Sequence, residues 1–228
     1  MNAATVLVLF DIDGTLLRGA GAHHKQALID GIQKVTGLAT HLDGIATSGM
    51  LDCDLIAAML KAAGHPEREI RAVMRQVMEE CQSCYRASCP SDLRPQLCPG
   101  VPALLSALRE RGAELGLVTG NLTGIAWRKM ELAGLRDYFS VGGFAEDAGT
   151  RAELAQVARQ RAIERGLVAP DCRTSLVGDH PNDVLAAKAN GFRAVAVGTG
   201  LVGCEDLAAA QPDVLAPNLE QLAIEKLL

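Results

Sequence analysis

Apolar and polar positions follow two different rhythms along this chain. Near its start, Val6 to Phe10 are five apolar residues in succession, which predicts a short buried strand. From residue 17 to about 96 no convincing strand pattern occurs. Residues 22–36 carry Ala27, Leu28, Ile32 and Val35 on one side, and 52–63 carry Leu55, Ile56, Met59 and Leu60. Residues 67–85 place Ile70, Val73, Met74, Val77 and Met78 at the same helical spacing. Three amphipathic helices need partners for their apolar faces, so this stretch predicts a small helical unit of its own. The Met-containing stripe belongs to the core of that unit.

From Cys98 the rhythm changes. Helical patterns over 102–111, 123–133, 151–165 and 181–190 alternate with short apolar runs at 115–119, 140–144, 175–178 and 194–197. Short helices are expected around Val214–Leu215 at the end. Alternating strand and helix predicts an α/β parallel sheet with right-handed crossovers. The opening strand has no partner among the helices that follow it, so it belongs to the same sheet. Two domains result: residues 1–16 and 97–228 form the α/β core, and 17–96 form a helical domain inserted after the first strand.

Composition narrows the possibilities. The 228 residues are 49% hydrophobic and 21% charged, with a net charge of −5. No basic cluster offers itself to a nucleic-acid backbone, and no segment reaches the ~20 apolar residues of a membrane span. The first residues lack a basic flank, and Asp11 interrupts their apolar run, so no signal peptide is read there and the cytoplasm is expected. Seven cysteines are then reduced thiols rather than a disulfide framework. Cys81, Cys84, Cys89 and Cys98 cluster, but C-x2-C-x4-C-x8-C is not a familiar zinc spacing, and buried or incidental thiols are expected.

Candidate chemistry lies at the strand ends. Asp11 and Asp13 follow the first strand, in a turn that Gly14 permits, where open α/β sheets place their ligands. Thr119-Gly120-Asn121 offers a hydroxyl, a close-approach glycine and an amide to phosphate oxygens at a helix start. Thr150-Arg151-Ala152-Glu153 has the form of a capping box, with Arg151 in the first turn, where a cation needs a nearby anion. Gly178-Asp179 and Asp183 supply hard oxygen ligands suited to Mg²⁺, with Pro181 opening the next helix. Asp52 reads as an N-cap for the second helix, in a segment 47–52 that could also meet substrate. His23, His24 and Arg18 read chiefly as surface or hinge groups; His180 is more often a group away from the cleft, and if it faces the cleft it shapes it rather than reacts.

The word Asp11-Ile-Asp13-Gly-Thr, followed in order by Thr119, Arg151 and Asp179/Asp183, resembles the four motifs of the haloacid dehalogenase superfamily of phosphohydrolases. The helical insertion is similar to the cap of the branch that includes phosphoglycolate phosphatases and β-phosphoglucomutases. One departure is Arg151, where the family usually has Lys. The resemblance implies a three-layer Rossmann-like core with an inserted all-helical cap domain. It implies a phosphatase in which Asp11 is the nucleophile, Asp13 the general acid and base, and Thr119, Gly120, Asn121 and Arg151 bind the phosphoryl group. Asp11, Asp13 (through its main-chain carbonyl), Asp179 and Asp183 would hold Mg²⁺. The implied partner is a small phosphorylated metabolite, with the chain a monomer or homodimer; a phosphoglycolate-like ester ranks first because Arg18, His23 and His24 near the first linker could supply positive charge for a carboxylate. A sugar phosphomutase and a non-catalytic binding protein are the alternatives.

Overall fold

The computed structural model describes residues 3–45 and 47–228. Six strands form one all-parallel sheet: β1 (Ala4–Phe10), β2 (Glu114–Val118), β3 (Val141–Gly143), β4 (Val168–Gly178), β5 (Arg193–Val197) and β6 (Val214–Ala216), in the order β3-β2-β1-β4-β5-β6. The chain order reverses at β1, so a crevice opens at its carboxyl end, beside β2 and β4. Along β1 the side chains alternate between faces, as strand geometry requires. Leu7 and Leu9 join one core cluster with Leu154, Ala158 and Val184, while Val6, Val8 and Phe10 join another with Leu104, Leu108 and Met130. These are the two helical layers, α6 (Arg151–Glu164) and α7 (Pro181–Ala189) on one face, α4 (Val101–Glu110) and α5 (Thr123–Leu132) on the other. This is the expected three-layer α/β architecture.

Between β1 and α4 lie α1 (Gly21–Thr36), α2 (Asp52–Ala62) and α3 (Glu67–Ser88). Helices α1 and α3 approach closely: a Cβ on Gly31 would stand 2.7 Å from the Cys81 backbone. The two connections to this insertion run side by side. Arg18 N donates to Gln96 O (2.8 Å), and Cys98 N donates to Leu16 O (3.0 Å). Among the described residues no helix is long and apolar enough to cross a membrane.

Two expectations need correction. Val214–Leu215 lies in strand β6, which pairs in parallel with β5 (Val195 with Val214, Ala196 with Leu215). Pro212 and Pro217 flank it closely, leaving no room for a helix interior. The last α-helix is instead α8 (Cys204–Ala209), and a short 3-10 helix follows at Ile224–Lys226. Helix α2 begins at Asp52 itself, with Leu51 as its N-cap and no side-chain cap. Asp52 is spent elsewhere, as described below.

Candidate active site

Strand β1 stays paired with β4 until its carboxylates emerge: Asp11 N donates to Val177 O at 2.9 Å. The chain then turns at Gly14 (φ 93°), where an added side chain would run into the carboxyl group of Asp179. That carboxylate follows β4 and accepts from Thr15 Oγ1 at 3.0 Å. Asp183 lies in the first turn of α7, with Pro181 at the helix start. It accepts from His180 N at 3.1 Å, and His180 Nδ1 accepts from Asn182 N at 3.1 Å. His180 therefore caps its own helix. Asp11, Asp179 and Asp183 are all buried and bring carboxylate oxygens within 4.8 Å of one another. No other group of potential metal ligands of this kind occurs among the described residues.

Arg151 reaches this cluster from the start of α6. The expected capping box is formed: Thr150 Oγ1 accepts from Glu153 N (3.2 Å), and Glu153 Oε2 accepts from Thr150 N (2.9 Å). Arg151 Nη1 lies 3.1 Å from Asp11 Oδ1 and 3.0 Å from Asp183 Oδ1. These are charge contacts without hydrogen-bond alignment. They leave Arg151 Nε and Nη1 and Asp183 Oδ1 buried with no hydrogen-bond partner. Unsatisfied buried donors beside an unsatisfied carboxylate oxygen suit a site that takes both an anion and a cation.

Crowding shows in the protonation behaviour. Burial pushes Asp11 up to about 6; the Arg151 charge pulls it back, while Asp183 and Asp13 push it further up. Asp179 rises to about 8, through burial and then through Asp11 and Asp183. Asp183 is raised too, chiefly by burial. Three hard oxygen donors that resist ionising together are chemically suited to a divalent cation.

On the other side of β1, Thr119 follows β2 and is fully buried. Its Oγ1 accepts from Asn121 N (3.3 Å) and Asn121 Nδ2 (3.0 Å), and Asn121 Nδ2 also donates to Asp13 Oδ2 (2.8 Å). The Asn121 amide is thus tied to protein groups. Gly120 sits beneath the insertion: Asp52 N donates to Gly120 O (2.8 Å), and a Cβ at Gly120 would meet Met50 O at 2.6 Å. Asn182 Nδ2 donates to Gly49 O (3.1 Å), so the segment 49–52 also touches the start of α7.

Sequence reasoning missed Lys129. Its ammonium is fully buried and lies 2.7 and 2.6 Å from the two Asp13 oxygens, 2.7 Å from Asn121 Oδ1 and 3.3 Å from His24 Nδ1. The available signal was a lone Lys on the buried face of α5, among Ile125, Ala126 and Met130. Burial raises the Asp13 carboxyl, but the Lys129 charge and the Lys129 and Asn121 hydrogen bonds outweigh it, so its value falls below the usual 3.8. The two histidines part company. His23 is exposed, whereas His24 is buried, with Nε2 2.9 Å from Asp52 Oδ2. Asp52 also accepts from Leu122 N (2.8 Å), at the start of α5. Arg18 donates from Nε to Thr199 O (3.1 Å).

The cysteines carry no comparable site. Cys81 and Cys98 are buried thiols whose ionisation is opposed chiefly by burial, and Cys84 behaves likewise.

Comparison with known proteins agrees with this geometry. The family model for haloacid dehalogenase-like hydrolases matches residues 5–191. The phosphoglycolate phosphatase of Vibrio vulnificus (strain YJ016) is 28% identical over 223 residues, covering 95% of this chain and 93% of its own. That of Synechococcus elongatus is 28% identical over 221 residues, covering 91% of each. The crystal structure of a β-phosphoglucomutase from Clostridium difficile superposes with a TM-score of 0.67 at 18% identity, covering 97% of this chain and 94% of that one. With the motif residues gathered at one end of a parallel sheet, the chain belongs to the haloacid dehalogenase-like hydrolases.

Proposed function

We propose that the protein is a Mg²⁺-dependent phosphatase acting on a small phosphomonoester through an aspartyl-phosphate at Asp11. The observation that carries this reading is the buried set Asp11, Asp179 and Asp183 with Arg151 against it, its polar atoms left partly unsatisfied. Those three carboxylates, with the main-chain carbonyl of Asp13, would hold Mg²⁺. The metal would offset the repulsion between carboxylates and an incoming phosphate.

Asp11 Oδ attacks phosphorus, and the bond from phosphorus to the leaving oxygen breaks. A proton-bearing Asp13 gives its proton to an alkoxide leaving group. Water then attacks the aspartyl-phosphate, Asp13 as carboxylate takes a proton from it, and inorganic phosphate leaves with Asp11 restored. Arg151 and Thr119 bear on the charge that develops on the phosphoryl oxygens.

Residues 17–96 act as a cap domain over the core formed by 1–16 and 97–228. The contacts of 49–52 with Gly120 and Asn182 support this, because they lie directly beside the reacting groups. A covered site excludes water and favours a small substrate. A phosphoglycolate-like ester ranks first because two full-length relatives bear the name phosphoglycolate phosphatase. His24 does not support that choice, since both of its ring nitrogens are bonded to protein groups. The test is kcat/KM for Mg²⁺-dependent phosphate release from glycolate, glycerol, hexose and nucleotide monophosphates. A clear preference for the glycolate ester is expected. Equal values across the four would defeat the substrate choice, and transfer of phosphate within a hexose without release would make the protein a mutase.

A further inference from the structure

The mechanism leaves a completely buried ammonium unused. Lys129 has three N–H donors and no acceptor. In this structure they meet Asp13, Asn121 and His24. The ammonium is completely enclosed, whereas 36% of the Asp13 side chain remains exposed. Every donor is therefore used inside the protein, and none is left for a substrate. A substrate-binding lysine would be built the other way round, with its head group open to the cleft.

The chain of contacts continues into the insertion. Because an ammonium can only donate, His24 Nδ1 must accept from it, which places the ring hydrogen on Nε2. That hydrogen is donated to Asp52 Oδ2, and the same oxygen accepts from Leu122 N, one residue before α5 begins. Buried Lys129, His24 and Asp52 thus form one continuous run with the partly exposed Asp13 at its start. It starts at the general acid and base, passes through a core helix, and ends at the first residue of α2. Asp52 N, bonded to Gly120 O, fastens that residue to the core a second time.

We propose that Lys129 is the positioning residue for Asp13, and that the His24–Asp52 pair ties this positioning to the seated insertion. The proposal rests on the phosphatase reading above and deepens it. Lys129 holds the Asp13 carboxyl in one orientation, from which it can take a proton off the attacking water. Its loss acts mainly on hydrolysis of the aspartyl-phosphate. Formation of that intermediate from an ester with a good leaving group needs no proton and is spared.

The two steps separate with p-nitrophenyl phosphate. In step one Asp11 takes the phosphoryl group and p-nitrophenolate departs as the anion. In step two water replaces Asp11 on phosphorus and its proton passes to Asp13. In Lys129→Met, rapid mixing with Mg²⁺ is expected to show a burst of p-nitrophenolate near one equivalent per site. Steady-state turnover is then slower than wild type by about a hundredfold or more, with KM lowered as the phosphorylated enzyme accumulates. Lys129→Arg keeps the charge and is expected to recover part of that turnover. Wild-type turnover in Lys129→Met, or an equal loss of burst rate and turnover, would overturn the proposal. If Lys129→Met does not fold, Lys129→Gln is put through the same two measurements and judged by the same outcomes. Failure of the underlying reading looks different: wild-type protein would then release no phosphate with Mg²⁺ and form no phosphorylated enzyme.

Discussion

A carboxylate that attacks phosphorus must be ionised, yet Asp11 stands where burial, Asp183 and Asp13 all resist ionisation. Arg151 is the protein's own counterweight, 3.1 Å away, and a divalent cation would be the larger one. Asp11→Asn removes the nucleophile and keeps the volume, so the fold is expected to survive while kcat falls by roughly a thousandfold or more. Activity within about tenfold of wild type, a loss of only ~1.4 kcal/mol in transition-state stabilisation, would sink the nucleophile assignment. Arg151→Lys is expected to retain more activity than Arg151→Ala, because the charge survives while the planar fork is lost; steady-state assays of the pair decide this. At this scale the clustered carboxylates were readable in the sequence, because Asp11, Asp13, Asp179 and Asp183 sit in short words at strand ends. Lys129 and Asp52 were not. Each acts through partners remote in sequence, Lys129 on Asp13 and Asp52 on Leu122, and no local spacing encodes such pairs.

Among the elements, α1 and α3 give the sharpest local test. Gly31→Ala gains about 1 kcal/mol of helix propensity. Its Cβ, however, would stand 2.7 Å from both the N and the Cα of Cys81, and a backbone cannot rotate aside. Overpacking of this kind costs about 1–3 kcal/mol, so a lower melting temperature is expected; a higher one would show that the helices separate freely. The sequence predicted all three of these helices, since each repeats its apolar face over three turns or more. It misplaced β6, whose three residues are too short to show any period and whose pairing with β5 is settled only in the folded sheet. The same holds for β4, expected only over 175–178: its first residues include exposed Asp171 and Arg173, and an irregularity in its pairing with β1 interrupts the pattern.

Taken whole, the molecule stores unfavourable charge at one end of its sheet. Asp11 and Asp179, at about 6 and about 8, both lie above the ordinary 3.8. At these two sites the folded state therefore binds more protons than the unfolded chain between roughly pH 4 and pH 8, and without metal their contribution to stability falls as pH rises through that window. Mg²⁺ takes over from those protons, so thermal unfolding with and without it is expected to show a larger stabilisation at pH 8 than at pH 5. Equal shifts at both values would count against the carboxylates as the metal site. The position of β1 carries a further consequence, for synthesis rather than catalysis. Leu9 pairs with Gly116 on one side and with Leu176 on the other, while α1 to α3 make contacts among themselves. At ~5–20 residues per second, the first strand leaves the ribosome roughly ten seconds or more before its second neighbour exists. The insertion can fold in that interval, whereas the strand that leads to Asp11 waits as an open apolar edge. Chains stalled before residue 168 should accordingly yield to protease near β1 while α1 to α3 resist. A strand made before both of its neighbours is thus among the last to find its place.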